Sequence, residues 1–334
     1  MLQMASWKYW LFIGILEISL LTNPARSQQP ASPTAPAPGA DAKSYVDFGI
    51  SNGAKGELDA AIEAFNNAIK IDPKYAPAYY NRGFAYALQK NQDEAISNYD
   101  QAIQLDSKYK EAYYQRGSLN GQKGNLDAAL SDFREVIKLD PNYAPAHYNL
   151  GHVLYFKGDL NDALDQIEQS LRLNPDFPYA YFIRGLIRHA QGHGLEATSD
   201  FQKSLGLGFP YATFWVWICE MENGQPILAR QDLLDALGKP NLFKSDDWPP
   251  QIGDFLLEKI TRTQLMAKAK EGPGAELNGR FCEAWFYSGM QNRLSGNSKE
   301  AQECFSQAIA TGSKGSEEFV EAGREAAQAQ NQNP

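Results

Sequence analysis

Apolar and small residues return along this chain at the spacing of amphipathic helices, and the pattern repeats every 34 residues. Within residues 76–109, Tyr79, Gly83 and Tyr86 share one face of a first predicted helix. A second helix with its own apolar face is predicted over residues 92–105, after a short polar turn. The repeating unit is therefore predicted to be a pair of antiparallel helices.

Three kinds of position keep the 34-residue step through five consecutive copies. They are the glycines Gly49, Gly83, Gly117, Gly151 and Gly185, the alanines Ala61, Ala95, Ala129, Ala163 and Ala197, and the bulky residues Phe65, Tyr99, Phe133, Ile167 and Phe201. Glycine inside a helix costs about 1 kcal/mol relative to alanine, so a recurring glycine indicates a structural need. We expect Gly83 and Ala95 to let the two helices of their pair approach closely.

The ends of the predicted helices carry signals of their own. Glycine closes the first helix of a pair as a left-handed cap, asparagine or aspartate begins the second helix, and proline ends it. These residues are Gly56, Gly124, Gly158, Gly192 and Gly296, then Asn91, Asn125, Asp159 and Asn297, and finally Pro73, Pro141 and Pro175. Because one pair cannot bury its own apolar face, neighbouring pairs must stack.

A helix–turn–helix unit of 34 residues resembles the tetratricopeptide repeat, or TPR. The resemblance implies an all-α superhelical solenoid with five tandem repeats over residues 42–211 and a sixth over residues 281–314. Between them, residues 212–280 are predicted to be a divergent helical segment, and residues 315–334 a capping helix and tail. Helices within the divergent segment are expected at residues 211–222 and 226–237, and two short helices within residues 252–270.

The beginning of the chain predicts export. Lys8 precedes a 12-residue apolar run, and Ala25 and Ser27 are the small residues that a signal peptidase reads. Residues 1–27 are therefore interpreted as a cleavable signal peptide, with an uncleaved membrane anchor as the alternative. The Pro- and Ala-rich residues 28–41 are predicted to be a disordered linker.

An ordered set of aromatic and small positions marks the C-terminal third of the chain. It consists of Trp215, Trp217, Trp248, Pro249, Ile252, Phe255, Leu256, Leu265, Met266, Phe281–Ala284, Phe286–Gly289, Gly296, Ala301, Phe305, Ala308 and Glu318–Glu321. This set resembles NlpI-type TPR proteins of the bacterial envelope. The resemblance implies a dimeric adaptor that holds cell-wall hydrolases and presents them to a tail-specific protease. Such proteins are usually lipoproteins, whereas this chain has no cysteine before Cys219.

Composition narrows the classes of function. The chain is 43% hydrophobic and 21% charged with a formal net charge of −9, so binding to nucleic-acid phosphates is not expected. No nucleophile elbow, zinc-protease helix, Walker loop or CxxC pair occurs, and no cofactor is predicted. An enzyme is the remote alternative, with Asp246, Asp247 and Glu258 as acids and Trp248 as a sugar platform.

Histidines and cysteines offer little further chemistry. His152 and His189 fall at groove-facing positions of TPR helices and, with His193, form one conceivable metal group. No cysteine or carboxylate spacing supports it, so no metal site is predicted. The three cysteines are expected to be buried thiols, with a disulfide between Cys282 and Cys304 as the alternative.

The predicted functional surface is the concave face, onto which the fifth and ninth residues of each first helix point in TPRs. These residues are Tyr80, Phe84, Tyr114, Ser118, Tyr148, His152, Phe182 and Leu186. We term this set the aromatic ladder, and its aromatic side chains suit a helix or an extended segment of a protein partner. The alternative is that the tyrosines only pack between neighbouring helices. Arg82, Arg116 and Arg184 are expected to be solvated or paired with acids on the second helix of a neighbouring repeat.

The preferred function is a non-catalytic periplasmic scaffold that binds proteins through this groove and dimerises through the tryptophan-rich residues 212–280. Its predicted partners are cell-wall hydrolases or a tail-specific protease. The alternative is a TPR module of another envelope assembly, such as polysaccharide export or outer-membrane biogenesis. Nucleic acid is not an expected partner, and the membrane is one only if the signal stays uncleaved.

Overall fold

The computed structural model describes residues 36–37, 39–240, 242–243 and 248–332. The predicted signal peptide, most of the predicted linker, Asp246 and Asp247 lie outside these residues. All regular secondary structure in the described part is helical, so the predicted all-α class is confirmed. Among the same residues, none of the helices combines the length and apolarity that a bilayer crossing needs.

The described chain forms two compact units that meet between Val153 and Leu154. Residues up to Val153 are termed the N-terminal unit, and residues from Leu154 onward the C-terminal unit. The N-terminal unit holds α1 Ala42–Ala54, α2 Leu58–Ile71, α3 Ala76–Leu88, α4 Gln92–Leu105, α5 Lys110–Gln122, α6 Leu126–Leu139 and the first part of α7 Ala144–Lys157. Odd-numbered helices are the first, or A, helices of the repeat pairs, and even-numbered helices are the second, or B, helices.

The C-terminal unit contains the end of α7 and ten further helices. They are α8 Leu160–Leu173, α9 Pro178–Ala190, α10 Gly194–Gly206, α11 Ala212–Glu222, α12 Pro226–Gly238, α13 Trp248–Leu256, α14 Arg262–Lys270, α15 Leu277–Leu294, α16 Ser298–Ala310 and α17 Glu317–Gln332, with a short 3-10 turn at Gly274–Glu276. The A and B helices of α9/α10, α11/α12 and α15/α16 pack against each other. Helix α17 packs on α15 and α16.

Helix α13 begins earlier than the sequence predicts. Its first residue is Trp248 rather than Ile252, so Pro249 and Pro250 lie inside the first turn. Proline is tolerated there because the first amide groups of a helix have no intrahelical acceptor. The two prolines therefore start this helix, whereas the sequence predicts its start at Ile252.

Close contact within the pairs explains the recurring glycine. A Cβ atom built on Gly185 would lie 2.6 Å from Cε1 of Phe201. On Gly83 it would lie 3.1 Å from the carbonyl oxygen of Ala95. These distances are shorter than ordinary contacts, so a larger side chain would push the helices apart. The predicted close approach at Gly83 and Ala95 is confirmed.

The turns confirm one predicted signal and correct another. The glycines predicted to cap the A helices have φ angles between 79° and 87°: Gly56, Gly124, Gly158, Gly192 and Gly296. The predicted N-caps Asn91, Asn125, Asp159 and Asn297 hold the N-cap position with ψ angles of 64° to 73° but make no side-chain capping bond. Side-chain caps form at Asp41 and Thr261, where ψ is 168° and 162°. The tighter turn between A and B helices therefore lacks the extended N-cap geometry that such a bond uses.

Arginines tie consecutive B helices of the N-terminal unit together. Arg116 on α5 pairs with Asp100 on α4 and Asp132 on α6, with nitrogen–oxygen distances of 2.6 Å to both. Arg82 on α3 donates instead to two neutral amides, at 2.6 Å and 2.8 Å. In the C-terminal unit, Arg184 pairs with Asp200 at 2.7 Å. The prediction that these arginines pair with B-helix acids of a neighbouring repeat is confirmed for Arg116 through Asp100, whereas Arg184 pairs within its own repeat.

The three cysteines are buried and unpaired, as predicted. Burial raises the pKa of Cys219 and Cys282 to about 12, and it also raises the pKa of Cys304. Arg262 donates to the Cys304 sulfur at 3.3 Å, and Ser316 donates to the Cys282 sulfur at 3.6 Å. The thiols therefore remain protonated near neutral pH and act as core side chains.

Candidate functional site

The N-terminal unit contains six of the eight predicted groove residues. Two of them, Tyr80 and Phe84 on α3, are half-buried. The other four are buried: Tyr114, Ser118, Tyr148 and His152. The accessible part of the predicted aromatic ladder in this unit is therefore on α3.

Tyr114 joins two A helices of the N-terminal unit. Its hydroxyl accepts a hydrogen bond from Asn149 on α7 at 2.7 Å, and its ring centroid lies 5.8 Å from that of Phe133 and 5.4 Å from that of Tyr143. Aromatic rings at these separations contribute packing energy as well as buried area. Tyr114 thus packs between neighbouring helices, which was the alternative to a binding role.

The two groove residues predicted in the C-terminal unit are also buried. Phe182 is 4% exposed and Leu186 is 0% exposed. The Phe182 ring packs 5.6 Å from Phe201 and 4.8 Å from Phe209, between centroids. Both side chains therefore belong to the core of this unit, and their predicted contact with a partner stays a prediction.

Helix α17 lies against A helices of the C-terminal unit. Tyr155 near the end of α7 donates its hydroxyl proton to Glu321, and Arg324 pairs with the same carboxylate. Arg324 also donates to the Tyr155 carbonyl at 3.2 Å and lies 4.4 Å from the centre of the Tyr155 ring. On α15, Arg293 pairs with Glu325 at 3.2 Å between Nε and Oε2. Polar contacts therefore connect α17 to two separate A helices.

The acidic residues of α17 face inward. Between 2% and 8% of each is exposed: Glu317, Glu318, Glu321 and Glu325. The apolar Phe319 and Val320 are only half-buried. A surface helix normally buries its apolar stripe, and a buried carboxylate is costly unless it is paired. The docking of α17 therefore depends strongly on the donors that face its carboxylates.

A cleft of about 560 Å³ runs beside α17 within the C-terminal unit. The turn between α9 and α10, the end of α11, Arg293 on α15 and one edge of α17 form its walls. Its polar lining includes His189, Glu222, Arg324 and Gln328. The cleft thus combines imidazole, carboxylate, guanidinium and amide groups next to the docked helix.

His189 and Glu222 form the polar centre of this cleft. His189 Nε2 and Glu222 Oε2 are 2.9 Å apart, and Arg293 pairs with the other Glu222 oxygen. Burial opposes the charge of both groups, but their mutual hydrogen bond and the nearby opposite charges together outweigh it, so the pKa of His189 is raised and that of Glu222 is lowered. The pair therefore favours an imidazolium–carboxylate contact that bridges α9 and α11.

Cys219 brings a third ligand-type atom to the same place. The sulfur of Cys219 and the ligand atoms of His189 and Glu222 lie within 4.8 Å of one another. An ion bound there would have to displace the thiol proton, whose pKa is about 12, and compete with Arg293. The sequence group of His152, His189 and His193 did not identify this set. The sequence signal that could have identified this set is the three-residue spacing of Cys219 and Glu222 on one helix.

The divergent segment does not present the predicted sugar platform. Trp248 is 2% exposed, and its Nε1 donates to Glu283 at 2.9 Å. Its assignment as a platform was wrong because the indole completes the core. Glu258, one of the proposed acids, is exposed. Trp215 and Trp217, on which the predicted dimer surface drew, are buried as well.

Family models match the repeats of this chain. A model described as TPR repeat matches residues 54–90 and 121–158, and a model described as Tetratricopeptide repeat matches residues 76–109 and 144–177. No curated protein matches the chain. The match at 76–109 begins with α3 and ends just after α4, so it covers one complete helix pair.

Solved structures similar to this chain cover about half of it. A crystal structure of MamA is 31% identical over 48% of this chain and 94% of its own, with a TM-score of 0.46. YrrB, described as a TPR protein with an unusual peptide-binding site, is 22% identical over 50% of this chain and 86% of its own, with a TM-score of 0.46. The pilF protein of Pseudomonas aeruginosa is 18% identical over 58% of this chain and 89% of its own, with a TM-score of 0.52, and shows the fold alone.

The repeat spacing, the observed helix pairs and the family models all indicate the same type of repeat. The 34-residue period gives helix pairs closed by left-handed glycines, and both models fall on those pairs. The narrower resemblance to NlpI-type proteins stays a prediction. This chain belongs to the tetratricopeptide repeat family.

Proposed function

We propose that the protein is a non-catalytic scaffold that holds protein partners, and that the A-helix side of its N-terminal unit is the binding surface. Stacked helical repeats bind partners through the extended surface that their aligned helices create. The observation that carries the proposal is the half-buried pair Tyr80 and Phe84, one helical turn apart on α3. Both side chains retain surface that a partner would cover.

Tyr80 is held in position before any partner arrives. Its ring centroid lies 5.8 Å from Tyr99 and 5.0 Å from Tyr109. Burial raises the pKa of Tyr80, so its hydroxyl stays protonated and able to donate a hydrogen bond near neutral pH. A fixed aromatic side chain loses little conformational freedom on binding, which favours affinity.

The finer proposal is that this scaffold is exported to the periplasm and holds cell-wall hydrolases or a tail-specific protease, as a homodimer. The apolar run and small residues of the first 27 positions support export. The aromatic and small positions of the C-terminal third support the NlpI-type partners. Alternatively, the scaffold serves another envelope assembly, such as polysaccharide export or outer-membrane biogenesis.

Site-specific photocrosslinking in cells tests the binding surface. The photoreactive amino acid benzoylphenylalanine replaces Phe84 in one variant and Leu105 in the control. Leu105 ends α4 of the same repeat and is 38% exposed, but it lies on a B helix. We expect protein adducts from position 84 and none from position 105, with mass spectrometry identifying the partner.

The outcomes separate the parts of the proposal. Adducts at position 105 without adducts at position 84 would place binding on the B-helix side and contradict the proposed surface. Adducts that contain polysaccharide-export or outer-membrane assembly proteins would replace the hydrolase clients. Protease accessibility in spheroplasts tests export, because an exported chain is digested while the spheroplast membrane remains intact.

A further inference from the structure

We propose that α17 is a displaceable internal ligand, and that the surface beneath it accepts an acidic helix of a protein partner in its place. This inference concerns the A helices of the C-terminal unit and goes beyond the proposed binding surface on α3. It rests on the contacts of α17, on its small apolar contribution and on the cleft beside it.

The surface beneath α17 presents hydrogen-bond donors to a row of carboxylates. The Tyr155 hydroxyl donates to Glu321, and the Tyr287 hydroxyl lies 3.5 Å from Glu318. Arg293 forms an ion pair with Glu325. The three glutamates are spaced i, i+3 and i+7, so they share one face of a helix. Any helix with this row of carboxylates matches the same donors.

Apolar burial contributes little to the docking of α17. Its fully buried apolar side chain is Ala322, which is 0% exposed, whereas Phe319 and Val320 are half-buried. Hydrophobic stabilisation scales with the apolar area removed from water, and alanine has little such area. A helix held mainly by charged hydrogen bonds exchanges readily for another helix that offers the same groups.

The connection to α16 allows α17 to move as a unit. Residues 311–316 join the two helices, and Gly312 within them has a φ angle of 68°. A Cβ atom on Gly315 would meet no atom within 4 Å, so this residue is open to solvent, whereas Ser313 and Ser316 beside it are buried. Local opening of such an element requires less free energy than unfolding the whole unit.

The cleft gives an incoming helix a place to begin. The cleft borders α17 along Glu321, Arg324, Glu325 and Gln328. Its volume of about 560 Å³ remains open while α17 is docked. Arg293 is 33% exposed at the side chain, so an incoming carboxylate reaches it before α17 leaves. Arg293 and His189 stay in place when α17 leaves with its own Arg324, and they favour an acidic helix over a basic one.

The test uses the full-length protein and three synthetic helices. The first peptide is residues 316–332 with a fluorescent label, and the second is the same peptide with glutamine at positions 321 and 325. The third is an unrelated alanine-based helix with glutamates at the same spacing. Ala322→Arg opens the surface because the buried alanine has no room for arginine. Ala327→Arg is the control because Ala327 is exposed on the same helix.

We expect Ala322→Arg to bind the first and third peptides at least tenfold more tightly than the wild type or Ala327→Arg does. The glutamine peptide should bind at least tenfold more weakly to Ala322→Arg than the first peptide. Equal binding of the first and second peptides would overturn the acidic-helix proposal. Binding of the first peptide without the third would restrict the surface to α17 itself, and a concentration-dependent dimer would then make a second copy of this chain the occupant. Either result contradicts an external acidic helix.

Hydrogen exchange of the wild type keeps the proposal testable if Ala322→Arg fails to fold. The amides of α17 should exchange at least tenfold faster than the central amides of α15 under native conditions. Equal protection of α17 and α15 would show that α17 opens only with its unit, which overturns its role as a displaceable ligand. The Phe84 crosslinks report separately on the N-terminal unit, so the two proposals fail independently.

Discussion

The A helices of the two units are used in opposite ways. In the N-terminal unit, Tyr80 and Phe84 on α3 keep part of their surface exposed. In the C-terminal unit, α17 contacts α7 and α15 through buried carboxylates such as Glu321 and Glu325. The same repeat thus supports an accessible aromatic surface in one unit and an occupied polar one in the other.

Charges also serve different contacts in the two units. In the N-terminal unit, Arg116 joins B helices of successive repeats. In the C-terminal unit, Arg293 pairs with Glu325 of α17, a helix outside the repeat pairs, and Arg324 of α17 donates to the Tyr155 carbonyl on α7. Ion pairs between repeats stabilise the stack itself, whereas those on α17 stabilise a single docked element. The four predictions below test this difference.

The largest expected effect is the loss of stability when the ion pairs between B helices are removed. Arg116→Ala should lower the free energy of unfolding by about 3 kcal/mol, because Asp132 remains buried without its cation. The side chain of Asp132 is 4% exposed. Arg82→Ala at the same register should cost only about 1 kcal/mol, because its partners are the neutral Asn66 and Asn98. Urea titration followed by circular dichroism measures both, and equal losses would contradict the importance of the charged pair.

The next effect separates the docking of α17 from the repeats. Tyr155→Phe removes the hydroxyl that donates to the buried Glu321, so docking should weaken by about 2 kcal/mol, or about 30-fold in the exchange rate of α17 amides. Tyr287→Phe is the matched control because its hydroxyl is 3.5 Å from Glu318 and makes a weaker contact. Hydrogen exchange with mass spectrometry measures both variants. Unchanged exchange in Tyr155→Phe would mean that this contact does not hold the helix.

The repeat pairs could be predicted because their signals are local. A glycine such as Gly83 and its partner Ala95 recur at fixed spacing, and the left-handed caps follow from the chemistry of glycine. Each signal depends on residues within one helix pair. The period therefore predicts where helices lie and which faces meet within a pair.

The orientation of α17 could not be predicted in the same way. Its glutamates would normally face water, and only donors from distant positions such as Tyr155 and Arg293 make their burial favourable. The accessibility of the aromatic ladder depends on contacts between repeats in a similar way. Tyr114 has the right register for a groove, but Asn149 and Tyr143 of the next repeat cover it. A residue can therefore occupy the groove-facing register and still be covered, because contacts with a neighbouring repeat decide whether its side chain remains accessible to a partner.

The pH dependence of α17 gives a smaller effect. Burial, together with the charges of Glu283 and Glu317, raises the pKa of Glu318 well above its usual value, although Tyr287 opposes this by hydrogen bonding. A raised pKa means that this contribution to docking is present at low pH and is lost as pH rises through the raised value. Glu318→Gln should therefore strengthen docking at alkaline pH by about 1 kcal/mol and reduce its pH dependence.

Asp140 of the N-terminal unit is the control, because its pKa is lowered rather than raised. The hydrogen bond from Lys110 lowers the pKa of Asp140, so its contribution is present above the usual carboxyl value and is lost as pH falls through the lowered one. Asp140→Asn should leave the alkaline behaviour of α17 unchanged. Exchange of α17 at pH 6 and pH 9 measures both variants. A Glu318→Gln protein with the wild-type pH profile would contradict the assignment.

The smallest effect concerns the turns, in which the two units also differ. The turns after α9, α11 and α15 in the C-terminal unit have Gly192, Gly224 and Gly296 at positive φ. In the N-terminal unit, the turn after α3 has Lys90 at a φ angle of 65° instead. A residue with a Cβ atom is strained in this region by about 1 kcal/mol or more, whereas glycine is not.

Lys90→Gly should therefore stabilise the N-terminal unit by about 0.5 kcal/mol, because relief of strain outweighs the loss of the interaction that the lysine makes. The reverse change, Gly124→Ala at the same turn position one repeat later, should destabilise it by about 1 kcal/mol. Thermal unfolding of the two variants in parallel measures both signs. If Lys90→Gly destabilises the protein, the interaction of the lysine is worth more than the strain, and this turn is stabilised by its side chain rather than by its backbone.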